Sequence, residues 1–341
     1  MRAWPALKMF QSQTVKTPVP LDRKLHCRPP AMRVTLVHNP NAGDKTHGRE
    51  QLVQLLTDSG YDVDYRSSDG DWQASLSSLP DCVAVAGGDG TIAEVATALA
   101  GTGVPIAVLP LGTANNIALA LGLTETPIPE LIAGFLLASP QPIDLGTTRG
   151  PWGQTHFLES VGAGLLSDTI ADIDHGESGF VNELDDSDSR VTAAVQVFER
   201  IVRTATPVPY QLTLDGHELA GEYLLVEVMN VAAAGPNLRL ARYANASDGL
   251  LDVVLIREHD RELLLDELSH KASDRGRPLT LPIRRARRVT ISCQCDVFHV
   301  DDTLHRFDSR SRLSVDVGLA GDVVTVLIPQ RTPNLRTEAQ G

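Results

Sequence analysis

A fully apolar run, Cys82 to Ala86, is followed at once by the turn Gly87-Gly88-Asp89-Gly90-Thr91 and then by apolar residues at helical spacing. An uninterrupted apolar run of this length is typical of a strand that is covered on both faces, as in a parallel sheet. The same succession of strand, polar turn and helix occurs once before it and once after it. We therefore predict an α/β domain with a parallel sheet over residues 32–140.

Two further turns belong to this pattern. The turn Asn39-Pro40-Asn41-Ala42-Gly43 follows the strand-like run 33–37, and Pro110 to Asn116 follows the apolar run 104–109. In an open parallel sheet, such turns emerge at the carboxyl edge, where these folds bind their ligands. We therefore expect the three turns to converge on one binding site.

The turn from Gly87 to Thr91 has the features of an anion-binding site. The start of a helix offers unpaired N–H groups and the positive end of a dipole, and glycines let a phosphate approach the backbone. The turn lacks the lysine of a Walker A motif and the spacing of a GxGxxG motif. On these grounds alone, a phosphate site and an ordinary tight turn remain comparable alternatives.

The pattern changes near residue 141. Short β-like runs dominate from there to residue 329, with two stretches of helical spacing at 192–204 and 262–271. We predict a second, mainly antiparallel β domain over residues 141–329, followed by a loose polar tail, 330–341. We predict that residues 1–31 form a disordered basic extension. The extension is either dispensable, or translation really starts at Met32.

Composition excludes several classes of function. The formal net charge of -13 argues against nucleic-acid binding, which requires a basic face. No apolar run reaches the roughly 18 residues that span a bilayer, so we expect membrane contact to be peripheral. The four cysteines form no CxxC pair, which favours a reduced, cytoplasmic protein without a zinc site. The arginines of 284–288 either meet anionic lipid or protect a solvated strand edge.

The three turns, with Glu94 and the later segments Pro142 to Gly146 and Ser247 to Asp252, resemble the successive motifs of the diacylglycerol kinase catalytic domain family. That superfamily includes bacterial lipid kinases, sphingosine kinases and the more distant NAD kinases. The Gly-Thr-Ala-Asn-Asn sequence at 112–116 is similar to the lipid branch. The resemblance covers nearly all of residues 32–329.

The resemblance implies that ATP and Mg²⁺ bind at the carboxyl edge. Asp89 and Asp144 would be the residues that organise Mg²⁺, and Glu94 would orient the glycine turn. The implied ATP-binding residues are Asn39, Pro40, Asn41, Gly43, Ser67, Gly87, Gly88, Asp89, Gly90, Thr91, Glu94 and Thr113.

The proton acceptor is where this chain departs from the family, whose lipid kinases have an Asp-Gly-Glu turn near the end of the β domain. The corresponding residues here are Asp301, Asp302 and Thr303. A threonine hydroxyl is no general base near neutral pH. Asp301 is our expected catalytic base; alternatively Asp302 substitutes, or the reaction is slow or absent.

The resulting hypothesis is an ATP-dependent kinase that phosphorylates a hydroxyl of diacylglycerol or a related lipid alcohol. It would be cytoplasmic or peripheral to the inner face of the membrane, and a homodimer is compatible with the sequence. The alternative, motivated by Thr303, is a nucleotide-binding regulatory protein with weak or no kinase activity.

Overall fold

The computed structural model describes residues 31–271, 281–308 and 312–330. The first part of the chain forms β1 (Arg33–His38), α1 (Arg49–Asp58), β2 (Asp62–Ser67), β3 (Cys82–Gly87), α2 (Asp89–Leu99), β4 (Ile106–Pro110), α3 (Asn116–Ala120) and α4 (Ile128–Gly134). The remainder forms β5 (Ser139–Gly150), β6 (Gly153–Phe157), β7 (Ser160–Gly164), α5 (Leu165–His175), α6 (Ser187–Thr204), β8 (Val208–Leu214), β9 (His217–Tyr223), β10 (Leu225–Met229), β11 (Leu251–Ile256), α7 (Arg261–Lys271), β12 (Ile283–Ala286), β13 (Arg288–Cys293), β14 (Val297–Val300), β15 (Thr303–Arg306) and β16 (Leu313–Ile328).

The predicted parallel sheet is confirmed. Its strands run in the order β2-β1-β3-β4, and every neighbouring pair among these four is parallel. The sheet then continues through β16, β13, β8 and β9, because the end of β16 pairs with β4 at Val326 and Ile106. The sheet therefore crosses the domain boundary proposed near residue 140, and that boundary stays a prediction.

The second sheet confirms the antiparallel β region. Its strands run in the order β12-β11-β10-β7-β14-β15, and each pair is antiparallel. An apolar cluster between this sheet and strands β8, β13 and β16 includes Phe157, Phe298 and Ile291, all nearly fully buried. This packing places the start of β7 and the end of β14 near the carboxyl edge of the parallel sheet.

Other sequence-based expectations concern the cysteines and the chain ends. Cys82 is buried in the core, and Cys293 and Cys295 lie on one face with their Sγ atoms 3.3 Å apart, as the spacing predicts. The predicted basic extension, apart from Ala31, and most of the predicted tail lie outside the described residues. Within the described ranges, every helix is too short or too polar to span a bilayer.

Gly164, at the end of β7, provides a test of this packing. Its φ is +94°, and a Cβ there would lie 2.1 Å from the carbonyl oxygen of Leu224. Gly164→Ala should therefore lower the free energy of unfolding by about 3 kcal/mol, since both backbone strain and a clash must be relieved. Gly216→Ala is the matched control: φ is +87° but the space is open, so about 1 kcal/mol is expected. Equal losses in urea unfolding would contradict this packing.

Candidate functional site

The three turns after β1, β3 and β4 pack directly against one another. A Cβ on Gly43 would lie 2.0 Å from the carbonyl oxygen of Leu111, and a Cβ on Gly112 would lie 2.4 Å from the Cα of Gly88. Backbone therefore meets backbone at both contacts, and side chains there would force the turns apart. The predicted convergence of the turns is confirmed.

Hydrogen bonds fix the same arrangement. The Asn39 N–H donates to the carbonyl oxygen of Ala86 (2.8 Å), and the Leu111 N–H donates to that of Gly87 (2.9 Å). The Asn39 amide also lies 3.3 Å from the Thr91 hydroxyl and so joins the first turn to the second. These bonds hold the first and third turns beside the start of α2.

The start of α2 has no side-chain cap. Gly88 precedes the helix in an extended conformation and has no side chain with which to cap it. The helical bond from the Ile92 N–H returns to the Gly88 carbonyl, so the N–H groups of the first turn have no helical acceptor. Such groups bind phosphate oxygens when a ligand is present.

Asp89 caps a helix other than its own. Its two carboxylate oxygens accept the N–H groups of Asn116 and Ile117, each at 2.9 Å, and thereby begin α3. Burial raises the pKa of Asp89 to about 6, the backbone hydrogen bonds oppose this, and the charge of Asp302 adds to it. The aspartate of the glycine turn thus positions the third turn, a role that the sequence did not indicate.

Glu159 is a site residue that sequence reasoning missed. It is buried, and its Oε1 accepts from the Asn116 side-chain amide (3.1 Å) and from the Gly235 N–H (2.9 Å). Burial, followed by the charges of Asp89, Asp302 and Asp301, raises its pKa well above the ordinary value. The available signal was a single acid in the segment 157–161, whose other residues are apolar except for Ser160.

Asp301 forms the junction between the two sheets. Its carboxylate accepts the N–H groups of Leu158 (3.0 Å), Glu159 (2.9 Å) and Ser160 (3.1 Å), just before and at the start of β7. Its backbone has φ +46°, in the left-handed region, and its own N–H donates to the Ser160 carbonyl (2.8 Å). Burial raises its pKa to about 6 despite these bonds. Both carboxylate oxygens are therefore engaged with the main chain.

Asp302, next in the same turn, faces the glycine turn instead. A Cβ placed on Gly90 would lie 3.5 Å from its Oδ2. Asp302 is exposed to solvent, yet the protein around it displaces part of its hydration shell. This desolvation raises its pKa, the charge of His299 opposes the rise, and Asp174 adds to it. Thr303 is exposed and begins β15.

Glu94 and Asp144 hold segments at the margin of the site. Glu94 Oε1 accepts from the indole of Trp72 (3.3 Å) and the amide of Gln73 (3.2 Å), which ties the segment before β3 to α2. Asp144 Oδ2 accepts the N–H of Gly249 (2.8 Å). The roles predicted for Glu94 in orienting the glycine turn and for Asp144 in binding Mg²⁺ stay predictions.

A cavity of about 120 Å³ adjoins the first turn. The Tyr65 hydroxyl lies 3.3 Å from Nδ1 of His38, and the Arg49 guanidinium lies 4.4 Å from the centre of the Tyr65 ring. Burial lowers the pKa of His38, which favours its neutral form. The lining residues are His38, Asn39, Pro40, Ala42, Lys45, Thr46, His47, Gly48, Arg49, Tyr65 and Leu111. Ser67 ends β2 opposite His38, and Thr113 lies within the third turn.

Two family models match the chain. The diacylglycerol kinase catalytic domain matches residues 33–148, and the YegS C-terminal NAD kinase beta sandwich-like domain matches residues 175–303. A diacylglycerol kinase from Bacillus anthracis has a similar fold, with a TM-score of 0.64 at 19% identity, covering 88% of this chain and 98% of that one. The fold class is therefore shown independently of the site.

Curated relatives show the family. A YegS-like lipid kinase of Pseudomonas putida is 33% identical over 230 residues, which are 62% of this chain and 72% of that protein. The diacylglycerol kinase of Mycobacterium tuberculosis is 28% identical over 194 residues, 56% of this chain. The match spans 60% of that relative's length. With its N-terminal α/β domain and C-terminal β sheet, the chain belongs to the lipid kinase family that contains the diacylglycerol kinase catalytic domain.

Proposed function

We propose that this protein transfers the γ-phosphoryl group of ATP to a hydroxyl of a lipid alcohol, with diacylglycerol as the first candidate. Membership of the lipid kinase family supports the reaction class. The observation that carries the proposal is the position of Asp302, whose carboxylate lies beside Gly90 at the start of α2. A proton acceptor close to a phosphate-binding turn is what phosphoryl transfer to an alcohol requires.

The nucleotide is proposed to occupy the carboxyl edge of the parallel sheet. Its phosphates would contact the residues from Gly87 to Thr91, with Asn39, Gly43 and Thr113 alongside. The nucleobase would enter the cavity beside His38 and Tyr65, whose aromatic surfaces suit a flat heterocycle. Pro40 and Asn41 would border the nucleoside, with Ser67 beyond them.

The acidic side chains of the cleft fit a role with Mg²⁺. Asp89, Glu159, Asp301 and Asp302 lie close enough for their charges to interact, so a cation would relieve their repulsion. No three His, Cys, Asp or Glu side chains of the described residues are grouped as metal ligands. Mg²⁺ commonly binds one or two carboxylates plus phosphate oxygens. Asp89 would be the ligand, directly or through water, with Asp144 contributing from the margin.

When bound, Mg²⁺ would neutralise charge on the transferring phosphoryl group. The proton of the attacking hydroxyl is assigned to Asp302, because its carboxylate lies beside Gly90 at the start of α2, whereas the carboxylate of Asp301 is directed at the main chain of residues 158–160. The new bond forms between the lipid oxygen and the γ-phosphorus as the bond to the bridging oxygen of ATP breaks. ADP and a phosphorylated lipid leave, and Asp302 returns its proton to solvent.

The lipid is proposed to bind on the β-rich side of the cleft, within residues 141–329. Peripheral contact with the membrane and formation of a homodimer both stay predictions. One of the arginines considered for lipid contact, Arg285, is paired with Asp248 and lies 3.8 Å from Asp252.

A transfer assay tests the proposed function directly. With radiolabelled ATP, Mg²⁺ and mixed micelles that contain diacylglycerol, sphingoid bases or other lipid alcohols, we expect label in at least one lipid product. ATP binding is checked in parallel by thermal stabilisation. Binding without transfer to any lipid would contradict the kinase proposal and favour a nucleotide-binding regulatory protein.

Gly90→Ala tests the space between the two walls of the cleft. The added methyl group meets the protein only at ordinary contact distance, so the free energy of unfolding should change by less than about 1 kcal/mol. The methyl group would nevertheless occupy the space assigned to phosphate, and kcat/KM should fall about 10-fold or more. Gly321→Ala, which adds a methyl group in open space, should leave kcat/KM unchanged. Full activity of Gly90→Ala would place the phosphates elsewhere.

Asp302→Asn tests the proton acceptor. An amide cannot take a proton, so kcat should fall about 100-fold or more while ATP binding persists. Removing one charge from the acidic cluster should also raise the free energy of unfolding at neutral pH. Thr303→Ala, in the same turn, is the matched control and should keep its activity. Activity lost in Thr303→Ala but kept in Asp302→Asn would overturn the assignment.

A further inference from the structure

A fully buried His–Glu pair lies behind the acidic turn. Nε2 of His299 in β14 lies 3.0 Å from Oε1 and 3.1 Å from Oε2 of Glu227 in β10. The two residues are on different strands, and both stand opposite Gly162 of the intervening β7. A Cβ on Gly162 would lie 2.2 Å from Glu227 Oε2, so the glycine makes room for the two side chains to meet across β7.

The other nitrogen of His299 contacts the acidic turn itself. Nδ1 lies 2.9 Å from the carbonyl oxygen of Asp301, which can only accept, so Nδ1 carries a proton. Nε2 faces a carboxyl group, which leaves two states: imidazolium with carboxylate, or neutral imidazole with carboxylic acid. Burial lowers the pKa of His299, but Glu227 and the Asp301 carbonyl outweigh burial, and the net pKa is raised. The imidazolium form is favoured.

This contact completes the support of the turn. The N–H and carboxylate of Asp301 bind the segment 158–160, and its carbonyl binds His299. Asp302 follows directly and faces Gly90, so its direction depends on how Asp301 is held. A buried glutamate and histidine would be costly if the pair served packing alone, since apolar residues fill such space as well.

The charge of His299 also acts on the turn. The other titratable groups around the turn and the pair are Asp89, Glu159, Asp174, Tyr210 and His305. Burial raises the pKa of Tyr210 well above its ordinary value, so its hydroxyl carries no charge. The acids among them disfavour ionisation of Asp302, whereas His299 favours it and lowers the pKa of that carboxyl group. His305 stacks on Trp152 and its pKa is lowered, so it contributes no comparable charge.

We propose that Glu227 and His299 form a buried ion pair that positions the Asp301–Asp302 turn and supplies the positive charge that keeps Asp302 ready to accept a proton. Both are positioning residues, because they act through the turn and touch no reacting atom. The inference rests on the proposed function only for its kinetic consequence. The charge state of the pair is a property of the protein without ligands.

The first test is the protonation state of His299. In protein labelled with ¹⁵N-histidine and kept free of nucleotide and metal, both ring nitrogens of His299 should carry protons at pH 8, where exposed histidines are neutral. The resonances are assigned by their loss in His299→Gln. In Glu227→Gln the ring should become neutral, with a proton on one nitrogen. A wild-type ring with a single proton at pH 8 would overturn the ion pair.

The second test is the pH dependence of lipid phosphorylation. Removing the positive charge makes Asp302 harder to ionise, so the acid limb of kcat/KM should move up by about 1 pH unit in His299→Gln and in Glu227→Gln alike. KM for ATP should stay near the wild-type value. His305→Gln, which removes a neighbouring histidine whose ring stacks on Trp152, should leave the acid limb in place.

The outcomes separate this inference from the proposed function. If the wild-type protein phosphorylates no lipid, the proposed function fails, and the NMR experiment still decides the charge of the pair. If the wild-type protein is active but neither single variant moves the acid limb, the inference fails. If a single variant does not fold, the double variant Glu227→Gln/His299→Gln, which leaves no unpaired buried charge, is measured instead. An unmoved acid limb there overturns the inference.

Discussion

Carboxylates that accept N–H groups of the buried main chain hold the cleft together. Asp89, at the start of one helix, caps the next helix, and Asp301, in a β-turn, binds three N–H groups at the start of β7. Buried N–H groups are costly to leave unpaired, so these two side chains decide where the third turn and the second sheet lie. The spacing of the cleft, and hence any chemistry in it, depends on these contacts.

The same carboxylates create an electrostatic problem. Asp89, Glu159, Asp301 and Asp302 approach one another in a region that burial has partly dehydrated, and their pKa values are raised. Like charges held together cost stability, and functional sites often retain such a cost because their chemistry needs it. We propose that His299 places an opposing charge behind the turn and that a cation with phosphate binds in front of it.

Sequence patterns predicted the parallel sheet well and the antiparallel β region less completely. Strands β3 and β4 are short apolar runs, and β1 is rich in β-branched residues. The turns that follow them contain glycine or asparagine, so the strand pattern and the turn residues indicate the same boundaries. Strand β7 is Ser-Val-Gly-Ala-Gly, which is a weak strand pattern. Its two glycines are needed because the Glu227 side chain lies against Gly162 and the Leu224 carbonyl lies against Gly164. Glu159 and His299 were missed for a related reason: isolated polar residues in apolar segments reveal nothing about their partners.

The sequence by itself determined the α/β and β-rich halves, the three polar turns and the family, because these depend on local periodicity and on short contiguous motifs. Only the tertiary structure distinguishes the contacts of Asp301 from those of Asp302, on which the proposed roles rest. Both acids are adjacent in one turn, and sequence offered either as the proton acceptor. The partners that distinguish them, the N–H groups of 158–160 and Gly90, lie more than a hundred residues away along the chain. Such long-range contacts have no local pattern, and folding alone brings them together.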